Sequence, residues 1–180
     1  APVPPSAALA QAGATVIANL SASNETVGKA DYRRTLIRSH SARLLCAYAY
    51  ADAGNGEPPT DLVFAGHNLI GENGVLLGES SLFSQGLTYG DCDLGLLAHE
   101  RMRMHTFAPP AQAFRAIPFT LAMEGPPHLA YRQVSPQPFL PHGQQAQALR
   151  CEQILAMQAQ GLAKRVAHTR AKRLVIGISG

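Results

Sequence analysis

Charged side chains are scarce in this 180-residue sequence, where Asp, Glu, Lys and Arg together make up 15%. With 46% hydrophobic residues beside them, that scarcity excludes a disordered polyelectrolyte and leaves enough apolar surface for a buried core. The formal net charge is only +3, far from the dense basic face of a nucleic-acid binder. Two basic clusters, ERMRMH and KRVAHTRAKR, read as solvated helix faces with cations near helix C-termini. Cysteines are few and odd in number: Cys46, Cys92 and Cys151. They form no CxxC and no Cys/His spacing, which excludes a disulfide framework and a zinc site and fits reduced thiols in a cytoplasmic protein. The seven histidines show neither HxH nor HExxH, so no metal site is expected, and His67 reads as a satisfied sheet-edge histidine rather than a general base. No apolar run is long enough to span a bilayer. The opening APVPPSAALA lacks the basic start and long apolar stretch of a signal peptide. It also lacks an initiator Met, which fits a chain that begins in mid-protein.

What is present falls into three zones. From residue 1 to about 107 the elements alternate. PSAALAQAG predicts a short helix that Ser6 can cap and Gly13 can end in a left-handed conformation. ATVIANL (Ala14 to Leu20) follows as a strand. GKADYRRTLIRSHSARLL predicts a helix with Tyr32, Leu36, Ile37, His40 and Leu44 on one face and arginines on the other. LCAYAYAD either extends that helix or forms a strand, and its aromatic alternation favours the strand. DLVFAGHNLIGENGVLLGES reads as a hairpin around Glu72-Asn73-Gly74, a turn that needs positive φ. LTYGDCDL is a further strand candidate, and DLGLLAHERMRM a helix capped by Asp93. The zone is α/β, and the hairpin makes its sheet mixed or antiparallel.

The second zone, 108–144, carries Pro109, Pro110, Pro118, Pro126, Pro127, Pro136, Pro138 and Pro141, which interrupt every helix or strand it could form. It reads as a linker or an extended segment lying over a surface, not as a domain. In the third zone, 145–180, ALRCEQILAMQAQGLAKRVAHT sets Leu149, Ile154, Met157, Gly161, Leu162 and Val166 near one stripe, a helix of about six turns. LVIGISG then reads as a buried strand running into a glycine-rich turn of the kind whose N–H groups hold phosphate. A helix, a strand and half a loop cannot close a core, so this zone is expected to be the first piece of a second domain.

Two stretches carry a resemblance. AGATVIANLSASNETVGKADYRR, continued by GEPPTDLVFAGHNLIGENGVLLGES, resembles the region just after the nucleophile in the glutaminase domain of the glutamine-dependent NAD synthetases, in the nitrilase superfamily. CEQILAMQAQGLAKRV followed by KRLVIGISG resembles the entry to that family's synthetase domain, whose SGG loop binds pyrophosphate. The combination in one chain is the specific element, since SG alone says little. The sequence departs from the family at Pro58 and Pro59, where small hydroxyl residues are usual.

The resemblance implies the C-terminal half of a nitrilase-type αββα sandwich (1–107), a Pro-rich linker (108–144) and the first helix and strand of a Rossmann-like ATP-pyrophosphatase domain (145–180), the whole an internal piece of a longer enzyme. It implies a Glu–Lys–Cys triad that releases ammonia from glutamine. It also implies ATP, with Mg2+, adenylating nicotinic acid adenine dinucleotide, which ammonia then converts to NAD. By the family pattern the triad lies upstream of residue 1, so no catalytic residue is assigned here, and the piece alone is expected to be inactive. Residue matching assigns Ser23 and Lys29 to glutamine binding, and Gly177, Ile178, Ser179 and Gly180 to the ATP loop. Lysine suits the α-carboxylate of glutamine as a compact charge, and some relatives resemble the pattern with Arg there. On the residues alone, Ser23 or Asn24 as a helix cap and Lys29 as a solvated residue remain an open and compatible alternative. The resemblance further implies a cytoplasmic homo-oligomer without nucleic-acid or membrane partners. Two other functions stay open: a stand-alone nitrilase-type amidase, against which the ATP-loop entry argues, and a non-catalytic binding or assembly module.

Overall fold

The computed structural model describes residues 2–57, 61–107, 114–122 and 129–177. The chain divides into two compact units, Ala1–Gln133 and Val134–Gly180. In the first unit, helix α1 (Pro5–Gln11) precedes strand β1 (Val16–Ser21), and helix α2 (Lys29–Leu44) leads from β1 to strand β2 (Ala47–Asp52). β1 and β2 run parallel in the register Val16↔Ala47 to Ser21↔Asp52. Strands β3 (Leu69–Glu72) and β4 (Val75–Glu79) form the expected hairpin, with β3 antiparallel to both β2 and β4. The sheet is thus mixed, in the order β1-β2-β3-β4. Its hairpin turns on Asn73 and Gly74, both at positive φ (44° and 88°), as a two-residue turn matching strand twist requires. Helix α3 (Leu94–Arg103) closes the unit, with the Asp93 carboxylate accepting the Leu96 amide at 2.8 Å, as anticipated.

The core gathers Ile17, Ile37, Leu44, Cys46, Tyr48 and Leu69 between α2 and the sheet. α2 approaches β3 so closely that a Cβ on Gly71 would stand 2.9 Å from Ile37 Cγ2. The stripe α2 buries is Arg33, Ile37, Ser41 and Leu44, which differs from the expected face. Tyr32 and Leu36 are exposed (62% and 45%). The helix is turned so that Ile37 and Ser41 fill the hollow over Gly71 and Arg33 meets buried carboxylates, and these outweigh the burial of two larger apolar side chains.

Two further expectations change. Ser6 does not cap α1: the helix begins at Pro5 with Pro4 as N-cap, because proline's fixed φ suits the first helical position. Ser6 is instead buried inside the helix, its hydroxyl 2.6 Å from His40 Nε2. Gly13 does turn left-handed beyond the helix (φ 105°). LTYGDCDL forms no strand. A side chain on Gly78 would meet the Tyr89 carbonyl at 2.4 Å, so this segment crosses the face of β4 instead of pairing with its edge.

The second unit contains helix α4 (Gln144–Thr169), with no buried residue, entered from Gly143 and left at Arg170 in a left-handed conformation (φ 52°). Leu174–Gly177 are not in a strand. A strand is defined by hydrogen bonds to a neighbour, and among the described residues nothing pairs with this run; branched side chains alone do not supply that partner. Residues 114–122 and 129–143 form neither helix nor strand, as their prolines dictate.

Candidate functional site

The parallel pair β1 and β2 ends at Ser21 and Asp52, and ligands gather beyond the C-terminal ends of such strands. The segment that follows β1 folds back across this end. Its Asn24 forms an isolated antiparallel bridge with Phe64, and the Glu25 amide donates to the Val63 carbonyl at 2.6 Å. Gly28, at φ 84°, turns the chain into α2. The Lys29 ammonium reaches back along this loop to donate to the Asn24 carbonyl and, at 2.8 Å, to Asn24 Oδ1. Ser23 is held through its backbone: its amide donates to Asp52 Oδ1 at 2.8 Å. Neither Ser23 nor Asn24 caps α2, whose N-cap is Gly28. Ser23 and Lys29, the two residues matched to glutamine binding, therefore sit on one loop with Asn24 tying its two ends.

Beneath the loop lies a group of ionic side chains that sequence reasoning missed. Arg33, 2% exposed, donates Nη1 to Glu25 Oε2 at 2.7 Å and to His67 Nδ1 at 3.2 Å, and its Nη2 also bonds Glu25. Its Nε faces Asp52 Oδ2 at 3.8 Å, beyond hydrogen-bond range. Those two atoms are buried without hydrogen-bond partners. Because a guanidinium can only donate, His67 Nδ1 is the acceptor and Nε2 carries the proton, which it gives to Glu79 Oε1 at 2.8 Å. Both nitrogens of His67 are thus occupied, as expected from sequence, but the ring is fully buried just before β3 rather than at a sheet edge. Burial alone would raise the Glu79 carboxyl, but hydrogen bonds from His67 and Arg34 hold it below the usual carboxylate value. The signal for Arg33 was the spacing 33, 37, 41, 44, a helical stripe hidden because arginine was read as polar and therefore outward.

A cavity of ≈ 460 Å³ opens beside the loop, lined by Glu25, Val27, Gly28, Val63, Leu82 and Phe83 among others; Ser23 and Lys29 do not line it. Another, of ≈ 490 Å³, lies against Glu72, Leu76, Leu96 and Arg132 and includes none of the matched residues. Of the ATP-loop residues, Gly177 follows α4 in irregular chain, while Ile178, Ser179 and Gly180, like Pro58 and Pro59, lie outside the described residues. Among the described residues no group of three or more His, Cys, Asp or Glu side chains is placed to hold a metal ion. Among the described residues no helix is long and apolar enough to cross a membrane.

No protein-family model matches the chain. Known proteins do. It is 43% identical over 188 aligned positions to the glutamine-dependent NAD(+) synthetase of Mycobacterium tuberculosis, covering 99% of this chain and 28% of that protein. The enzyme of the same name from Mycobacterium leprae is 44% identical over the same shares. The chain matches one portion of these synthetases. It spans 28% of the length of the curated relatives it matches. A solved glutamine-dependent NAD(+) synthetase from Cytophaga hutchinsonii is 31% identical over 44% of this chain and 14% of that one, with a TM-score of 0.40.

Proposed function

We propose that this chain is part of a glutamine-dependent NAD synthetase, contributing the wall of its glutaminase site and the approach to its ATP site. The observation that carries the reading is the 43–44% identity to enzymes of that name across 99% of the chain. In this reading residues 1–107 are the C-terminal half of a nitrilase-type sandwich, 108–144 a linker and 145–180 the start of the synthetase domain. Ser23 and Lys29 hold glutamine, with the Lys29 ammonium facing its α-carboxylate. Two of its three N–H donors already bind Asn24, which fixes the charge at the loop while leaving a third for a ligand. Gly177, Ile178, Ser179 and Gly180 enter the loop that holds ATP as its Mg2+ complex. The acceptor of ammonia is nicotinic acid adenine dinucleotide, and the enzyme is a cytoplasmic homo-oligomer.

The nucleophile is not sought within the chain. Cys46 is fully buried, and burial pushes its thiol up to about 11, the reverse of an activated cysteine. Burial also raises Cys92. The test is direct. The full-length protein, given glutamine, ATP–Mg2+ and nicotinic acid adenine dinucleotide, should form NAD and glutamate, whereas the isolated 180-residue chain should release no ammonia from glutamine. Failure of the full-length protein to form NAD would sink the reading. Glutaminase turnover by the isolated chain would show that the nucleophile lies within it.

A further inference from the structure

The loop that bears Ser23 and Lys29 rests on one side chain from the next helix. Arg33 is one turn along α2 from Lys29, bonds the loop at one place and faces a second carboxylate that holds it. Its guanidinium grips Glu25 directly through both Nη atoms, and its Nε lies across from Asp52, whose other oxygen carries the Ser23 amide. The side chains concerned are almost closed to solvent: 3% exposed for Arg33, 10% for Glu25 and 0% for Asp52. In such surroundings the charges are weakly screened and act on one another strongly.

The local charge balance gives the arrangement a second consequence. Glu25 and Asp52 place two carboxylates at the loop; Arg33 and Lys29 supply two cations. His67 accepts a hydrogen bond from Arg33 at Nδ1 and turns Nε2 to Glu79, and Glu79 is answered by Arg34. Arg33 offsets one of the two carboxylate charges and Lys29 the other, so the loop carries no net negative charge where the Lys29 ammonium would meet an anion. Without Arg33 the loop would turn net negative and would repel the carboxylate that Lys29 is to bind.

We propose that Arg33 is the positioning residue of the amino-acid carboxylate subsite: it fixes the Ser23–Lys29 loop through Glu25, faces Asp52 and offsets one of their two negative charges, so that the loop is not net negative where the Lys29 ammonium meets an anionic ligand group. The proposal rests on the glutamine-binding reading of Ser23 and Lys29. It assigns Arg33 no contact with the ligand.

The experiment uses the full-length synthetase and compares Arg33→Lys, Glu25→Gln and Lys29→Ala, reading glutaminase KM and kcat separately alongside the melting temperature. Arg33→Lys keeps the charge and loses the fork; Glu25→Gln keeps an acceptor for Arg33 and loses one carboxylate. Arg33→Lys should raise the glutamine KM, lowering kcat/KM on the order of tenfold to a hundredfold as for a displaced binding group, with kcat nearly constant. Glu25→Gln should fold normally and raise KM less, because the fork weakens while the net charge at the loop becomes more positive. If Lys29→Ala raises KM but Arg33→Lys and Glu25→Gln do not, the positioning role is wrong and the binding site stands. If none of the three moves KM, the glutamine-binding reading itself falls, and the proposal with it. Should Arg33→Lys fail to fold, Glu25→Gln decides: an unchanged KM there overturns the proposal.

Discussion

Arg132 and Glu72 meet across 60 residues of chain as a forked ion pair, Nη2 to Oε1 at 2.8 Å and Nη1 to Oε2 at 3.1 Å. Glu72, at the end of β3, is 4% exposed, and its Oε2 also accepts the Asp93 amide at 2.5 Å. Arg132 binds the Asp91 carbonyl as well, at 3.0 Å. One carboxylate thus ties the hairpin, the start of α3 and the segment around Tyr131 together. Arg132→Ala would leave that carboxylate buried and short of a counter-charge, a loss of roughly 3 kcal/mol. Glu72→Gln with Arg132→Met should cost clearly less, since no charge is stranded. Denaturant midpoints of the two variants check this, and equal losses would mean that the fork is not what holds the segment.

A second prediction concerns acid. His40 Nε2 lies 2.6 Å from the Ser6 hydroxyl, and its ring meets that of Tyr48 edge-to-face at a centroid distance of 5.3 Å. Burial, then the nearby Arg43, lowers its pKa from 6.5. A folded-state value below the unfolded one means that the unfolded chain takes up the proton more readily. The stabilisation is therefore complete above about pH 6.5 and is lost as pH falls through the lowered value. Melting temperature followed downward from pH 7.5 should fall more steeply for the native sequence than for His40→Gln. Ser6→Ala removes the hydrogen-bond partner of His40 and should cost about 1 kcal/mol at neutral pH. Parallel profiles for the native protein and His40→Gln would rule His40 out as the sensor.

Much of this fold was legible because its signals are local. Asp93 as a cap, the Asn73-Gly74 turn and the aromatic alternation of AYAYAD act within a few residues of themselves. What was not legible depends on partners distant in sequence. Ser6 is satisfied by His40, 34 residues on; Tyr89 stacks on Tyr131 at 5.1 Å; Arg33 meets Asp52 and His67 only across the folded sheet. The α2 face was misread for that reason: periodicity ranks Tyr32 above Arg33, and only the buried carboxylates reverse the order. The glutamine-binding roles proposed for Ser23 and Lys29 rest on family resemblance, which carries no information on the ionic floor beneath their loop.

The third prediction tests the packing of α2 on the sheet. Gly71→Ala would put a methyl 2.9 Å from Ile37 Cγ2 and 3.3 Å from Ser41 Oγ. Overpacking of this kind costs about 1–3 kcal/mol. Ile37→Val on the same background removes only a terminal methyl and should leave the clash with Cγ2, whereas Ile37→Ala should relieve it. A Gly71→Ala protein as stable as the parent would show that α2 can lift from β3 without cost.

Thiol labelling supplies the fourth. Cys151 is exposed on α4, Cys92 half-buried and Cys46 fully buried. At pH 8 a thiol reagent should modify Cys151 of the 180-residue chain first and Cys46 only on unfolding, since a thiol held near 11 is almost wholly protonated and shielded. Rapid modification of Cys46 in the folded chain would contradict its burial.

The last prediction is for Lys29 in the full-length enzyme. If its ammonium binds the α-carboxylate of glutamine, Lys29→Ala should raise the glutamine KM and lower kcat/KM on the order of tenfold to a hundredfold, the equivalent of about 1.5–3 kcal/mol for a charge-assisted contact. NAD synthesis driven by added ammonia should change little, because that step does not involve the glutamine carboxylate. The structure adds a complication: Lys29 also ties the loop through Asn24, so Lys29→Ala removes a ligand contact and a brace together. Asn24→Ala separates them, since it takes away the 2.8 Å side-chain bond and leaves the charge. A large effect at Lys29 with a small one at Asn24 assigns the loss to the ligand, and equal effects assign it to the loop. Lys29→Arg keeps the charge and should be milder than Lys29→Ala. Were Lys29 only a solvated residue at the start of α2, alanine there would shift stability by a few tenths of a kcal/mol and leave both ammonia sources equally effective. Equal loss of the glutamine-driven and ammonia-driven reactions would instead mean that Lys29 supports the fold, and the binding assignment would be withdrawn.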